Sequence, residues 1–211
     1  METQFVDYEL LSESSEVERV NFYKKTYLHV GVAILAFIFV EGLLLKFIPQ
    51  EVILGMLGTK FLWLGILGAF WLVSILATKF TMSLDRNVQY AGLGLYVLIE
   101  ALIFMPLIYI AIIYSGGNFN LIGQAGLITL FLFGGLTAYA LTTKTDFSFL
   151  RSFIVIGGFI SIGLIVAGAL FGFNLGLWFS VGMVLISAAS ILYQTSKLKY
   201  EYSKEQYVGA A

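Results

Sequence analysis

The sequence contains no cysteine, only two prolines and a single histidine. The absence of cysteine excludes disulfides and thiolate nucleophiles, and one histidine cannot build the Cys/His cluster that a zinc site needs. Charged residues are also scarce, at 12% of the chain, against about 25% in ordinary soluble proteins. The net charge is −1. With no Lys/Arg stripe to neutralise phosphates, the sequence gives no indication of nucleic-acid binding.

Apolar residues make up 59% of the 211 residues, which is typical of a protein with several membrane spans. A helix needs roughly 17–25 residues to cross a hydrocarbon core about 30 Å thick, whereas a transmembrane strand needs only about 9–11. Six apolar stretches have helical length, and we predict spans at about residues 27–48, 60–78, 88–114, 121–141, 149–172 and 175–196. The predicted fold is an all-α membrane helix bundle, with residues 27–211 as one transmembrane domain in the lipid bilayer.

The few cations lie in the connections between spans and are distributed unevenly. If the N-terminus is cytoplasmic, ten lysines and arginines lie on the inner side, and only Lys46 and Lys60 lie outside. The positive-inside rule therefore predicts a cytoplasmic N-terminus. The segment TTKTDFSFLRSF (142–153) is then an inner turn, in which we expect Asp146 or Ser148 to cap the following helix.

Both ends of the sequence differ from the spans. The first twenty residues carry six acids and one arginine, unlike a signal or transit peptide. We interpret residues 1–26 as a cytoplasmic acidic tail, either a docking or protease-recognition segment or a solvated disordered end. At the other end, YVGAA (207–211) looks like the opening of a further helix. Either the chain ends there or a seventh span follows.

Two acids, Glu41 and Glu100, lie within predicted spans. A charged carboxylate is expensive in hydrocarbon, so an intramembrane acid is a functional candidate by default. Both lie about 18–20 Å along spans that cross in the same direction, at 1.5 Å per residue. If the two helices are neighbours, the acids could share a proton or form an oxygen-ligand cation site. Alternatively, each is a protonated hydrogen-bond donor, for example to Tyr96 one turn before Glu100.

Other residues in the spans support weaker hypotheses. Pro106, six residues after Glu100, frees a backbone carbonyl and predicts a kink in the third span, which suits an ion path or simple packing equally well. His29 lies at the inner end of the first span, where it either senses pH or is incidental. No Gly-x-Ser-x-Gly or His-Glu-x-x-His pattern is present. We predict neither an enzyme nor a bound cofactor, and leave a metal site undetermined.

Several stretches together resemble the bacterial branch of the Bax-inhibitor family of membrane proteins. They are LYVLIEALIFMPLIYIA in the third span, KTDFSFLRSF before the fifth, ILYQTSKL closing the sixth, and YVGAA. The resemblance extends over about residues 20–211. It implies a seven-helix fold with the last helix in the centre, and membership in a group of pH-sensitive calcium leak channels in the inner membrane. It also implies that some bacterial relatives modulate a membrane-bound AAA protease.

One position departs from that family. Where the family usually has an aspartate after ILY, half of a buried pair that gates the pore, this sequence has Gln194. Glutamine does not ionise, so proton control would have to lie with Glu100 or Glu41. We therefore expect a passive cation leak, for Ca²⁺ or protons, with Glu100, Glu41 and Gln194 in the ion path or proton switch. The alternative is a non-conducting regulator or subunit of a membrane protein complex, such as a membrane protease.

Overall fold

The computed structural model describes residues 11–211 except 13, 59 and 84. These residues form seven α-helices, which confirms the all-α prediction. The helices are α1 (Glu16–Phe47), α2 (Gln50–Met56), α3 (Lys60–Thr81), α4 (Arg86–Tyr114), α5 (Asn120–Thr142), α6 (Leu150–Phe171) and α7 (Gly176–Tyr200). All except the seven-residue α2 are long and apolar enough to cross a membrane. The chain is therefore a multi-pass membrane protein with six candidate spans in its described part.

Helix α1 begins at Glu16, eleven residues before the first predicted span, so it extends back into the segment predicted as a tail. A capping box stabilises its first turn. The Glu18 N–H donates to Ser15 Oγ at 3.3 Å, and the Ser15 N–H donates to the Glu18 carboxylate at 3.0 Å. This reciprocal pair satisfies two backbone donors of the first turn. Residues 1–10 and Glu13 of the predicted tail lie outside the described residues.

The turn before α6 differs in detail from the prediction. The N-cap of α6 is Phe149, and no side chain among the described residues caps its first turn. Asp146 instead accepts hydrogen bonds from the Ser148 N–H at 2.9 Å and the Ser148 hydroxyl at 2.6 Å. These bonds favour the charged carboxylate and lower the pKa of Asp146. The expected cap is therefore a local Asx turn, because Asp146 lies too far before the helix to reach its first N–H groups.

The contacts divide the chain into two compact units. The first comprises Met1–Leu43, in its described part, with Phe70–Leu102 and Lys197–Ala211, and the second comprises Leu44–Ala69 with Ile103–Ser196. The first unit contains a buried cluster contributed by both ends of the chain: Leu11, Phe22, Leu198, Tyr202, Tyr207 and Val208. The predicted division into a tail and a single transmembrane domain stays a prediction.

Within the first unit, α3 and α4 approach closely at Gly92. A Cβ on this residue would lie 2.9 Å from Phe80 Cβ and 2.9 Å from the Thr81 backbone nitrogen, which is closer than real Cβ atoms come. Gly94, on another face of the same helix, has no such neighbour within 4 Å. Glycine at residue 92 therefore sets the spacing between the end of α3 and the start of α4, as small residues do between membrane helices.

Candidate functional site

A cavity of about 240 Å³ lies between α1 and α4 inside the first unit. Each helix contributes four positions at the i, i+3, i+4, i+7 spacing of a single helix face. The lining residues are Val30, Ala33, Ile34 and Phe37 of α1, Leu93, Tyr96, Val97 and Glu100 of α4, and Ala211. The cavity is therefore an apolar space with one carboxylate in its wall.

Glu100 is the acid in that wall and is half-buried. Tyr96, one turn earlier on α4, lines the same cavity. The predicted hydrogen bond from a protonated Glu100 to Tyr96 stays a prediction. An ionised carboxylate can accept about four hydrogen bonds, so Glu100 has acceptor capacity toward the cavity.

Glu41 is the more unusual of the two acids. Its side chain is only 4% exposed, and neither carboxylate oxygen has a hydrogen-bond partner among the described residues. It lies one turn beyond Phe37 on the same face of α1, about 6 Å farther along the helix axis. A buried polar group without a partner costs roughly 1–3 kcal/mol. Such a cost indicates either a functional role or a ligand that satisfies the group for part of the time.

A contact between His29 and Tyr90 defines the register of α1 and α4. His29 Nε2 lies 2.9 Å from the Tyr90 hydroxyl. From this contact, Glu41 is twelve residues along α1 and Glu100 is ten residues along α4. At 1.5 Å per residue, Glu41 lies about 18 Å along α1 from the His29–Tyr90 contact, and Glu100 lies about 15 Å along α4 from the same contact. The first and third spans of a membrane protein run in the same direction, so the two acids differ in depth by roughly 3 Å.

His29 itself is more engaged than a lone interfacial histidine. Its Nδ1 lies 2.7 Å from the Lys25 carbonyl, which can only accept, so Nδ1 carries a proton. In the neutral ring, Nε2 then accepts from the Tyr90 hydroxyl. The Tyr207 ring packs against His29 with centroids 5.4 Å apart, and Lys25 Nζ lies 4.9 Å from the centre of the same ring. The histidine thus joins α1, α4 and the end of the chain.

The remaining predicted site residues belong to the second unit. Pro106 is fully buried, and α4 continues through it as one helix from Arg86 to Tyr114, so the expected kink stays a prediction. Gln194 lies on α7 with an exposed side chain. All residues that line the cavity belong to the first unit. The described residues contain no group of three or more His, Cys, Asp or Glu side chains able to hold a metal.

Sequence reasoning missed one residue of this region, Gln89. It is completely buried near the start of α4 and binds backbone groups of two other segments. The sequence does show Gln89 as a polar residue within the predicted third span. A neutral amide costs less free energy to bury than a charged carboxylate, so its presence in a span is a weaker indication of a special role.

Comparison with known proteins agrees with the helical architecture. The family model described as "Inhibitor of apoptosis-promoting Bax1" matches residues 19–211. An uncharacterized protein of Pseudomonas aeruginosa is 44% identical over 85 residues, which cover 40% of this chain and 37% of that relative. The match therefore spans well under half of the relative. No solved structure matches the chain. Because the family model covers most of the sequence, the chain belongs to the Bax inhibitor family of membrane proteins.

Proposed function

We propose that this protein is a passive cation leak, for calcium in the first place, in the cytoplasmic membrane of a bacterium. The observation that carries the proposal is the cavity between α1 and α4 with Glu100 in its wall. Glu41 lies buried one turn beyond the cavity on the same face of α1, with no hydrogen-bond partner among the residues that the structure describes. Two acids at nearly one level on neighbouring helices offer oxygen ligands to a cation at that level.

Two carboxylates are expected to bind calcium only weakly. Ca²⁺ takes 6–8 oxygen ligands, and two carboxylates supply at most about four. Water would have to supply the others, so a bound ion stays partly hydrated and weakly held. Conduction requires such weak binding, because an ion must leave as readily as it enters. The single carboxylate in a largely apolar wall is therefore consistent with a slow leak.

Protonation gives this path a means of control. A protonated Glu100 carries no charge and attracts no cation, and the same holds for Glu41. Because Gln194 cannot ionise, the proposal assigns the proton-dependent step to these two glutamates. We expect calcium flux to fall as pH falls, measured at several values between about pH 6 and 8.

The direct test is calcium uptake into proteoliposomes that contain the full-length protein, with Glu100→Gln beside the wild type. Two unit charges about 4 Å apart interact by about 4 kcal/mol at a partly solvated site, a divalent ion doubles this energy, and about a sixth of the doubled energy is tenfold in rate. We therefore expect flux to fall at least about tenfold and to lose the part of its pH dependence that Glu100 contributes. The matched control is Glu51→Gln, an exposed acid on α2, which should conduct like the wild type.

Two results would contradict the proposal. One is wild-type flux no greater than that of empty liposomes, with the protein folded and inserted. The other is equal flux in Glu100→Gln and the wild type. The first result would favour the alternative of a non-conducting regulator or subunit of a membrane complex, and the search would turn to proteins that co-purify with the chain. The second would show that calcium passes without the Glu100 carboxylate.

A further inference from the structure

The residues after α7 form a compact segment that binds the start of α4, and we call residues 201–211 the C-terminal clasp. Its anchor is the buried amide of Gln89. The Gln89 Nε2 donates to the Ser83 carbonyl at 2.9 Å and to the Glu205 carbonyl at 3.4 Å. Its Oε1 accepts from the Gly209 N–H at 3.1 Å. One side chain thus satisfies backbone groups of the α3–α4 connection and of the clasp.

The clasp also touches the end of α3 directly. A Cβ on Gly209 would overlap the Thr81 carbonyl, so the two backbones meet at a distance that only glycine permits. Beside this contact, the Gln206 side-chain amide donates to the Met82 carbonyl at 3.2 Å. Backbone and amide contacts therefore fix both the position and the direction of the clasp.

Exposed charges add less to this attachment. Arg86 pairs with Glu205 at 2.9 Å, but both side chains are more than half exposed, and such pairs contribute about 0–1 kcal/mol. Arg86 and Lys25 also approach the Tyr207 ring, at 5.2 and 4.9 Å from its centre. These contacts are screened by water and salt. The buried amide, whose removal leaves three backbone groups without their partner, carries the larger share.

The clasp leads into the cavity. Ala211 lies in the cavity wall with Glu100 and follows the Gly209 anchor by two residues, which span at most about 7 Å. The position of Gly209 therefore confines Ala211 to within about 7 Å of it. Since Gln89 binds the Gly209 N–H, its amide helps to place Ala211 in the cavity wall.

From these contacts we infer that Gln89 is a positioning residue that holds the C-terminal clasp in the wall of the Glu100 cavity and so limits access to it. This inference deepens the proposed function, because it names what regulates entry to the proposed path. The geometry of the clasp itself depends only on the contacts within the first unit.

The test uses the natural absence of cysteine, which allows a single reporter thiol. We place it at Ala33→Cys in the cavity wall of the full-length protein in detergent, and measure its rate of reaction with a maleimide. The variant is Gln89→Met, which keeps the volume and removes the hydrogen bonds. We expect about tenfold faster labelling, since losing a buried hydrogen bond costs on the order of 1–3 kcal/mol. The matched control is Gln124→Met, at an exposed glutamine on α5.

Two additions keep the test informative if Gln89→Met disturbs the fold. A second reporter at Ser161→Cys, buried in the second unit, should stay slow, and a rise at both reporters would overturn the positioning role. Gln89→Glu retains an acceptor for the Gly209 N–H but places a carboxylate oxygen against the Ser83 and Glu205 carbonyls, so its labelling at Ala33→Cys should be at least as fast as that of Gln89→Met. Labelling at the wild-type rate in Gln89→Met would also overturn the inference.

The outcome is separable from that of the leak, because labelling requires no ion movement. If the wild type shows no calcium flux but Gln89→Met is labelled faster, the leak is contradicted and the positioning role of Gln89 is supported. If the wild type conducts calcium but labelling is unchanged in Gln89→Met, the positioning role is contradicted and the leak is supported.

Discussion

Replacing Gly209 with alanine is expected to detach the C-terminal clasp from α3. The new methyl group would overlap the Thr81 carbonyl, and a backbone atom at the end of a packed helix cannot move aside as a side-chain tip can. Overpacking of this kind costs about 1–3 kcal/mol, or roughly 5-fold to 150-fold in the population of the detached segment. Limited digestion with trypsin measures that population through cleavage at Lys204, in the clasp.

The control for this variant is Gly182→Ala. Gly182 lies within α7, and a Cβ there would meet nothing within 4 Å. Alanine in a helix is more favourable than glycine by up to about 1 kcal/mol, so this variant should be as stable as the wild type or slightly more stable. Equal cleavage rates at Lys204 in the two variants would show that the Thr81 contact does not hold the clasp.

Replacing Glu41 with leucine is expected to stabilise the protein and to reduce its calcium flux at the same time. Leucine removes a buried carboxyl group that has no hydrogen-bond partner in the described part of the chain, and so removes a cost of roughly 1–3 kcal/mol. For a chain of this length, each 1 kcal/mol raises Tm by about 2–4 °C. Calcium flux should fall at least about tenfold, because the negative charge and the oxygen ligands of the Glu41 carboxylate are lost.

Thermal unfolding in detergent and flux in liposomes measure the two halves of this prediction. Glu51→Leu, at an exposed acid of α2, is the control and should change neither Tm nor flux appreciably. A lower Tm in Glu41→Leu would show that the carboxyl group has a stabilising partner. A higher Tm with unchanged flux would show that Glu41 lies outside the ion path.

The six spans could be predicted from the sequence because hydrophobic length is a strong local signal. Five of them begin within two residues of the predicted positions. Helix α1 begins eleven residues before the first predicted span, and the spacing of its capping box, Ser15 and Glu18, is visible in the sequence. Helix α2 was missed because its seven residues carry too little periodic signal.

The candidate site could be predicted only in part. Glu41 and Glu100 were identifiable because a charge in an apolar run is conspicuous. The cavity was not, since it depends on α1 and α4 being neighbours in the register set by His29 and Tyr90. The clasp was hidden for a related reason: Gln89 and Gly209 are 120 residues apart in sequence. No local pattern encodes which backbone a buried amide will bind.

The measurement that tests the central claim most directly is block of calcium flux by a charge fixed in the cavity. Ala33→Cys in proteoliposomes is treated with a small thiol reagent that carries a permanent positive charge, and flux is recorded before and after. The control is Val32→Cys, which is exposed and next in sequence but does not line the cavity. We predict that modification abolishes flux through Ala33→Cys and leaves Val32→Cys unchanged. Undiminished flux through the modified Ala33→Cys protein would contradict an ion path through this cavity.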